Sequence, residues 1–169
     1  MVPERECDQH RISATAGANI GCAGRSGRHR GTRRKRGTHM TSVLVVDDDK
    51  DTRDVLRLAF ENEGHLVLEA ADGQQALDVL RASASSLVAV LDLDLPQLDG
   101  IQVLRMVAED PSLAGRHALI LLTAVADQRF QEAETVCAHF MVPIIAKPFE
   151  LDTILGAVDT AAHRLPFRS

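Results

Sequence analysis

From residue 43 onward, short apolar runs alternate with longer stretches in which apolar residues recur at helical spacing. The apolar runs, which are typical of strands covered on both faces, occupy residues 43–46, 65–70, 87–91, 117–123 and 142–146. The stretches with helical spacing occupy residues 50–63, 73–82, 100–110, 127–140 and 150–163. Gly64 and Pro111 stand where the first and third helices are expected to end. The pattern therefore predicts five strand–helix pairs, (βα)₅.

Two local features sharpen this prediction. In the first helix, Val55, Leu58, Ala59 and Asn62 recur near helical spacing and predict one face of the helix, with Leu56 and Phe60 widening its apolar stripe. In the fifth apolar run, Pro143 cannot donate to a sheet ladder, so this strand is expected to begin there or to lie at a sheet edge.

Strands that alternate with single helices require a mostly parallel sheet, right-handed crossovers and helices on both faces. The expected fold is therefore a doubly wound α/β sheet. We place the domain at residues 42–165 and a short tail at 166–169.

The first 41 residues have a different composition. They contain almost no Leu, Val or Phe, and they are rich in Gly, Arg, Ser and Thr, so they are expected to form a disordered arm. Three interpretations remain open. The arm binds nucleic acid or an acidic partner through the basic run 33–36, it is an inert solvated tail, or it is not translated and the protein starts at Met40.

Charge and composition separate these two regions and exclude several classes of protein. Residues 1–42 carry nine basic and three acidic side chains, a net charge of +6, whereas residues 43–169 carry ten and 21, a net charge of −11. No apolar run approaches the ~20 residues of a membrane span, and the start of the chain lacks the apolar core of a secretory signal. The three cysteines lack zinc-site spacing, and together these features predict a cytoplasmic protein in a reducing compartment.

Polar side chains stand at the ends of four predicted strands. Asp47 and Asp48 follow the first strand, Asp92 and Asp94 follow the third, Thr123 ends the fourth and Lys147 follows the fifth. Because the carboxyl ends of parallel strands meet at one edge of a sheet, these groups are expected to lie together. Clustered carboxylates favour a hard divalent cation, Mg²⁺ or alternatively Mn²⁺. A carboxylate beside such an ion, an ammonium and a hydroxyl group is equipped to accept a phosphoryl group.

The same residues carry a family resemblance. The motifs VLVVDDDKD, LDLDLPQLDG, LLTA and AKPF, in this order, resemble those of the receiver domain of bacterial response regulators, over about residues 42–164. The resemblance implies a flavodoxin-like fold with strand order 2-1-3-4-5. It implies partners as well: a sensor histidine kinase or a histidine phosphotransfer protein donates the phosphoryl group in a Mg²⁺-dependent reaction.

The resemblance also assigns roles to single residues. Asp92 matches the phosphoacceptor, and Asp47, Asp48 and the backbone carbonyl of Asp94 match the metal ligands. Thr123 matches the switch hydroxyl, and Lys147 matches the lysine that contacts the phosphoryl group. The remaining matches are Pro148, which follows a cis peptide bond in the family, and Gly100, which opens the third helix.

Ile144 and Pro143 depart from the family pattern, and Asp94 is the least standard residue at the rim. Many relatives have a switch aromatic where this chain has Ile144, so the signal from Thr123 is expected to pass through aliphatic packing. The Asp94 carboxylate is expected to approach the phosphoryl group on the side of the hydrolysing water. Because Val125 offers no polar group to help hold that water, the Asp94 charge is expected to affect Mg²⁺ affinity more than dephosphorylation.

The chain ends about five residues after the last predicted helix, which leaves no room for a DNA-binding or enzymatic output domain. We therefore expect a stand-alone receiver that passes its signal by docking to an unknown target or by phosphorelay, as a monomer or a phosphorylation-dependent dimer, and not an enzyme. One alternative is a haloacid-dehalogenase-type phosphatase that uses Asp92 and Asp94. Another is a degenerate receiver that only binds proteins.

Histidines and the cysteine of the domain carry no recognisable motif. His65, His117, His139 and His163 lack ligand spacing and are interpreted as surface or boundary residues. Cys137 lies in an apolar helical stretch, where packing is the expected role.

Overall fold

A computed structural model describes residues 40–124 and 129–165. Its five strands are β1 (Ser42–Val46), β2 (Leu66–Ala70), β3 (Leu87–Asp92), β4 (Ala118–Ala124) and β5 (Ile144–Lys147). They form one parallel sheet in the order β2-β1-β3-β4-β5. The doubly wound fold and its strand order are therefore confirmed.

The helices of the described residues are α1 (Lys50–Asn62), α2 (Gly73–Ala82), α3 (Gly100–Glu109), α4 (Pro111–Ala114), α5 (Phe130–Phe140) and α6 (Leu151–Ala162). The single turn α4 was not predicted. Pro111 ends α3 as expected, but it also opens α4, because proline is well suited to the first position of a helix. Asp110 serves both helices, since it is the C-cap of α3 and its side chain accepts from the Ser112 amide, at 2.9 Å, as the N-cap of α4.

The sheet separates two apolar cores. Val43 and Val45 of β1 face the core under α1 and α6, whereas Leu44 and Val46 face the core under α2, α3 and α5. Every residue of β3 is buried, including Asp92 at its end. Strands buried on both faces have no polar side to alternate with, which explains why the apolar runs of the sequence are continuous.

The apolar stripe predicted for α1 was wrong in its centre. Leu56 and Phe60 are buried, with 1% and 0% exposure, whereas Val55 and Leu58 are 54% and 52% exposed. The reason is that α1 packs on β1 and β2, which lie at one end of the sheet, and on α6. That position covers a narrow stripe of residues four apart and leaves the neighbouring apolar side chains in solvent.

The expectation for the last strand was correct. β5 begins at Ile144, directly after Pro143, and it lies at the edge of the sheet next to β4. Pro143 still takes part in pairing as an acceptor, because the Leu121 amide donates to its carbonyl oxygen at 2.9 Å. The proline therefore marks the point at which the strand starts.

Two of the four histidines were wrongly interpreted as surface or boundary residues. His65 and His117 are each only 5% exposed, whereas His139 and His163 are exposed as expected. His117 is buried because its Nδ1 accepts from the amide of Leu87 at the start of β3, at 3.2 Å, and this burial lowers the pKa of the imidazole. Cys137 is buried and its pKa is raised to about 11 by burial, in agreement with a packing role.

Several predictions fall on residues that the structure does not describe. These are the disordered arm with its basic run, the tail at 166–169, Val125, and the first two residues of the predicted helix 127–140. Within the ranges 40–124 and 129–165, no helix has both the length and the apolar character needed to cross a membrane.

Candidate functional site

The polar strand ends predicted from the sequence meet at one edge of the sheet. Asp47 follows β1, Asp92 ends β3, Thr123 lies near the end of β4 and Lys147 ends β5. These four strands are neighbours in the sheet, so their carboxyl ends deliver all four side chains to the same place.

Three carboxylates form the centre of the site. Asp47, Asp48 and Asp92 each place an oxygen so that the three atoms lie within 4.8 Å of one another. Asp47 and Asp92 are buried, whereas Asp48 is exposed, so the cluster opens to solvent on one side. Hard divalent cations prefer such an all-oxygen set that keeps room for water ligands. The residues present therefore fit a Mg²⁺ ion.

Lys147 bridges two of these carboxylates. Its Nζ lies 3.1 Å from Asp47 Oδ2 and 3.0 Å from Asp92 Oδ1. Burial lowers the pKa of Lys147, but the hydrogen bonds and charges of Asp92 and Asp47 outweigh it, so the net pKa is raised. Burial also raises the pKa of Asp92, against the opposing effect of Lys147. The lysine therefore stays charged and partly offsets the repulsion within the cluster.

The two oxygens of Asp92 have different surroundings. Oδ1 accepts from the Leu93 amide at 2.9 Å and from Lys147. Within the described residues, Oδ2 accepts no hydrogen bond. One oxygen therefore fixes the side chain, and the other is available for a bond to a ligand.

Close backbone contacts hold the loops around this cluster. Arg53 donates from Nη1 to the backbone carbonyl of Asp47 at 2.6 Å, and Asp47 Oδ1 accepts from the Asp49 amide at 2.9 Å. At Gly100, a Cβ atom would lie 2.4 Å from the carbonyl oxygen of Asp92, which is far inside van der Waals contact. Only glycine allows α3 to begin this close to the end of β3.

The remaining predicted residues occupy the same rim. Thr123 is fully buried, and its hydroxyl donates to the Ala124 carbonyl at 3.3 Å. The Lys147–Pro148 peptide bond is cis, as the resemblance implied. Ile144 is half-buried and packs against the core under α2, α3 and α5.

One residue of the rim was missed. Arg129, at the start of α5, pairs through Nη2 with Asp94 Oδ1 and through Nη1 with Asp99 Oδ2, at 3.1 Å. The Asp94 carboxylate is therefore bound to Arg129 and lies outside the Asp47–Asp48–Asp92 cluster, which changes the expectation that it adds charge there. No local sequence signal could have revealed this contact, because the partners are 30 and 35 residues apart.

The site is a cluster of carboxylates bridged by one lysine, at the carboxyl edge of a doubly wound sheet. This arrangement is typical of a class of α/β proteins that bind phosphoryl groups, or the metal ions bound together with phosphoryl groups. Comparison with known proteins identifies the family within this class.

Residues 43–159 match the response regulator receiver domain. Sporulation initiation phosphotransferase F of Bacillus subtilis (strain 168) is 37% identical over 120 residues, which cover 69% of this chain and 89% of that protein. Protein CcdB of the same organism is 37% identical over 123 residues, which cover 70% of this chain and 95% of that protein. The structure of the Francisella response regulator 1452 receiver domain has a TM-score of 0.63 and 27% identity, and covers 73% of this chain and 98% of that one.

The chain belongs to the response regulator receiver domain family. Its function is phosphorylation-dependent signalling in a two-component system.

Proposed function

We propose that Asp92 accepts a phosphoryl group from the phosphohistidine of a sensor kinase or a phosphotransfer protein. The observation that carries this proposal is the placement of Asp92 in the acidic cluster, with Oδ1 held by Leu93 and Lys147 and with Oδ2 accepting no hydrogen bond from the described residues. In the reaction Oδ2 attacks phosphorus, the P–N bond to the donor histidine breaks, and the electron pair of that bond stays on the imidazole nitrogen.

Asp47, Asp48, Asp92 and the backbone carbonyl of Asp94 are the groups that would hold Mg²⁺ at this site. When bound, the ion neutralises charge on the transferring oxygens. The protein contributes the rest through its own side chains. Asp47 is buried and held by the Asp49 amide, so it cannot turn away from the cluster, whereas exposed Asp48 lies where a metal ion would enter.

Lys147 and Thr123 carry the consequence of phosphorylation. Once Asp92 bears a phosphoryl group, Lys147 has a more highly charged partner than the two carboxylates it now bridges. The Thr123 hydroxyl now donates a 3.3 Å hydrogen bond to the Ala124 carbonyl. It donates to a phosphoryl oxygen once this long hydrogen bond breaks. Because Ile144 stands at the position of the switch aromatic, this change reaches the α5–β5 surface through aliphatic packing.

A phosphoryl donor must dock beside the site to bring its histidine within bonding distance of Asp92. A groove next to Lys147 offers such a place, lined by Val55 and Leu56 of α1 and by Pro148 and Phe149 after β5. Val55 is 54% exposed there, so it is an apolar contact that a partner can cover. We assign this groove to the kinase or phosphotransfer protein.

The test is phosphorylation by acetyl phosphate in the presence and absence of Mg²⁺, followed by mass spectrometry. We expect Mg²⁺-dependent labelling that approaches one phosphoryl group per chain, and Asp92→Asn should abolish it. Asp152→Asn, an exposed acid of α6, is the matched control and should label normally. Undiminished labelling of Asp92→Asn would refute the assignment. Steady release of phosphate from phosphate esters over many turnovers would favour the phosphatase alternative instead.

A further inference from the structure

Arg129 connects the start of α5 to the loop between β3 and α3. Its two terminal nitrogens bind different carboxylates, Nη1 that of Asp99 and Nη2 that of Asp94. Asp99 is a fixed anchor, because its Oδ1 caps α3 by accepting from the Gln102 amide at 2.8 Å, and the Gln102 side chain accepts from the Asp99 amide at 3.0 Å. Since a guanidinium group is planar, fixing one nitrogen on Asp99 also fixes the direction in which Asp94 is held.

Asp94 lies next to the chemistry without taking part in the cluster. It stands two residues after Asp92, and its side chain is 62% exposed. Within the described residues, its carboxylate is not part of the group formed by Asp47, Asp48 and Asp92. The ion pair with Arg129 therefore does two things at once: it offsets part of the Asp94 charge, since Asp99 shares the same guanidinium, and it occupies an oxygen that could otherwise accept a hydrogen bond from water.

We propose that Arg129 is a positioning residue that holds the Asp94 carboxylate away from the phosphoryl group and thereby prolongs the lifetime of phosphorylated Asp92. This inference rests on the proposed function. During hydrolysis a water oxygen attacks phosphorus, the bond between phosphorus and the Asp92 oxygen breaks, and its electron pair returns to the Asp92 carboxylate. The attacking water loses a proton to solvent as inorganic phosphate forms. A carboxylate at this rim would accept a hydrogen bond from that water and orient it, and the pair with Arg129 turns the Asp94 carboxylate toward Asp99 and removes one of its oxygens from that role.

The experiment compares four proteins, each labelled with acetyl phosphate and then freed of it, at constant Mg²⁺ concentration. Arg129→Gln should shorten the half-life of the phosphoryl group threefold or more. Asp94→Asn should change it by less than twofold. In the double variant, the half-life should return to within twofold of that of the unaltered protein, because the Asp94 carboxylate that loses its partner in Arg129→Gln is then absent. Isothermal titration of the unphosphorylated proteins should show tighter Mg²⁺ binding in Arg129→Gln, and not in the double variant.

Three further variants separate positioning from general stability. Arg129→Lys should give an intermediate lifetime, because an ammonium group cannot bind two carboxylates in one plane. Asp99→Asn keeps a side chain that caps α3 but removes the charged anchor, so it should shorten the lifetime less than Arg129→Gln does. Arg105→Gln is the matched control, because Arg105 pairs with Glu132 at 3.6 Å and also links α3 to α5, away from the loop. It should leave the lifetime unchanged.

An effect of Arg129→Gln that is equally large with and without the Asp94→Asn substitution would overturn the proposal, as would an effect no larger than that of Arg105→Gln. If the unaltered protein does not become phosphorylated on Asp92, the proposed function fails, and this inference fails with it. Labelling of the unaltered protein with a lifetime that does not depend on Arg129 overturns the inference alone.

Discussion

Some residues at the edge of the sheet lie in contacts too close to allow a larger side chain, and Gly100 is the clearest case. We predict that Gly100→Ala lowers the free energy of unfolding by about 1–3 kcal/mol, because its Cβ would overlap the carbonyl oxygen of Asp92 at 2.4 Å. Gly156 is the matched control, since it lies in α6 and a Cβ there meets nothing within 4 Å. Gly156→Ala should raise stability by up to about 1 kcal/mol. Urea unfolding followed by circular dichroism measures both, as the chain has no Trp or Tyr.

The raised pKa of Asp92 gives a second prediction at this scale. Burial raises the pKa in the folded state above that in the unfolded state, so folding favours the protonated acid. The contribution of Asp92 to the free energy of unfolding is therefore fully present below the unfolded pKa, and it is lost as the pH rises through the folded pKa. Without Mg²⁺ at pH 7, Asp92→Asn should unfold at a higher urea concentration than the unaltered protein. The difference between the urea midpoints of the two proteins should become smaller as the pH falls toward 4. A midpoint difference that stays constant between pH 7 and pH 4 would contradict the argument.

At the scale of the elements, helix caps decide where the chain turns away from the sheet. Asp72 caps α2 by accepting from the Gln75 amide at 2.7 Å, and the Gln75 side chain donates back to it at 2.6 Å. Because Asp72 is buried, solvent cannot replace these bonds. Asp72→Ala should cost about 1–2 kcal/mol in urea unfolding, whereas Asp72→Asn, which can still accept, should cost clearly less. Equal losses in the two variants would show that the cap is not the cause.

The elements also show what a sequence can reveal. The strands were predictable because a sheet buried on both faces imposes continuous apolar runs. The acidic rim followed from the polar residues at the strand ends, because the carboxyl ends of parallel strands meet at one edge of the sheet. The stripe of α1 was not predictable, because Val55 and Leu56 are both apolar and only the position of the helix over the sheet decides which is buried. Arg129 was missed for a related reason: its partners are distant in sequence, and an isolated arginine resembles any surface residue.

At the scale of the whole molecule, composition separates the N-terminal residues from the domain. Residues 1–39 contain few large apolar side chains, whereas, among the residues that the structure describes, the buried members of the two cores lie within residues 43–161. We predict that a protein starting at Met40 keeps the melting temperature to within about a degree and keeps Mg²⁺-dependent labelling. Thermal unfolding by circular dichroism and acetyl phosphate labelling measure these. A fall of several degrees would mean that the N-terminal residues pack against the domain.

The contact between Lys147 and Asp47 joins residues that are 100 positions apart. A chain still emerging from the ribosome therefore carries its acidic residues long before it has the cation that completes the site. Until β5 has docked, Asp92 lacks the lysine that fixes its Oδ1. On the proposed function, competence to receive a phosphoryl group thus arrives only once β5 has paired with β4, so chains in which β5 has not docked do not respond to a phosphoryl donor.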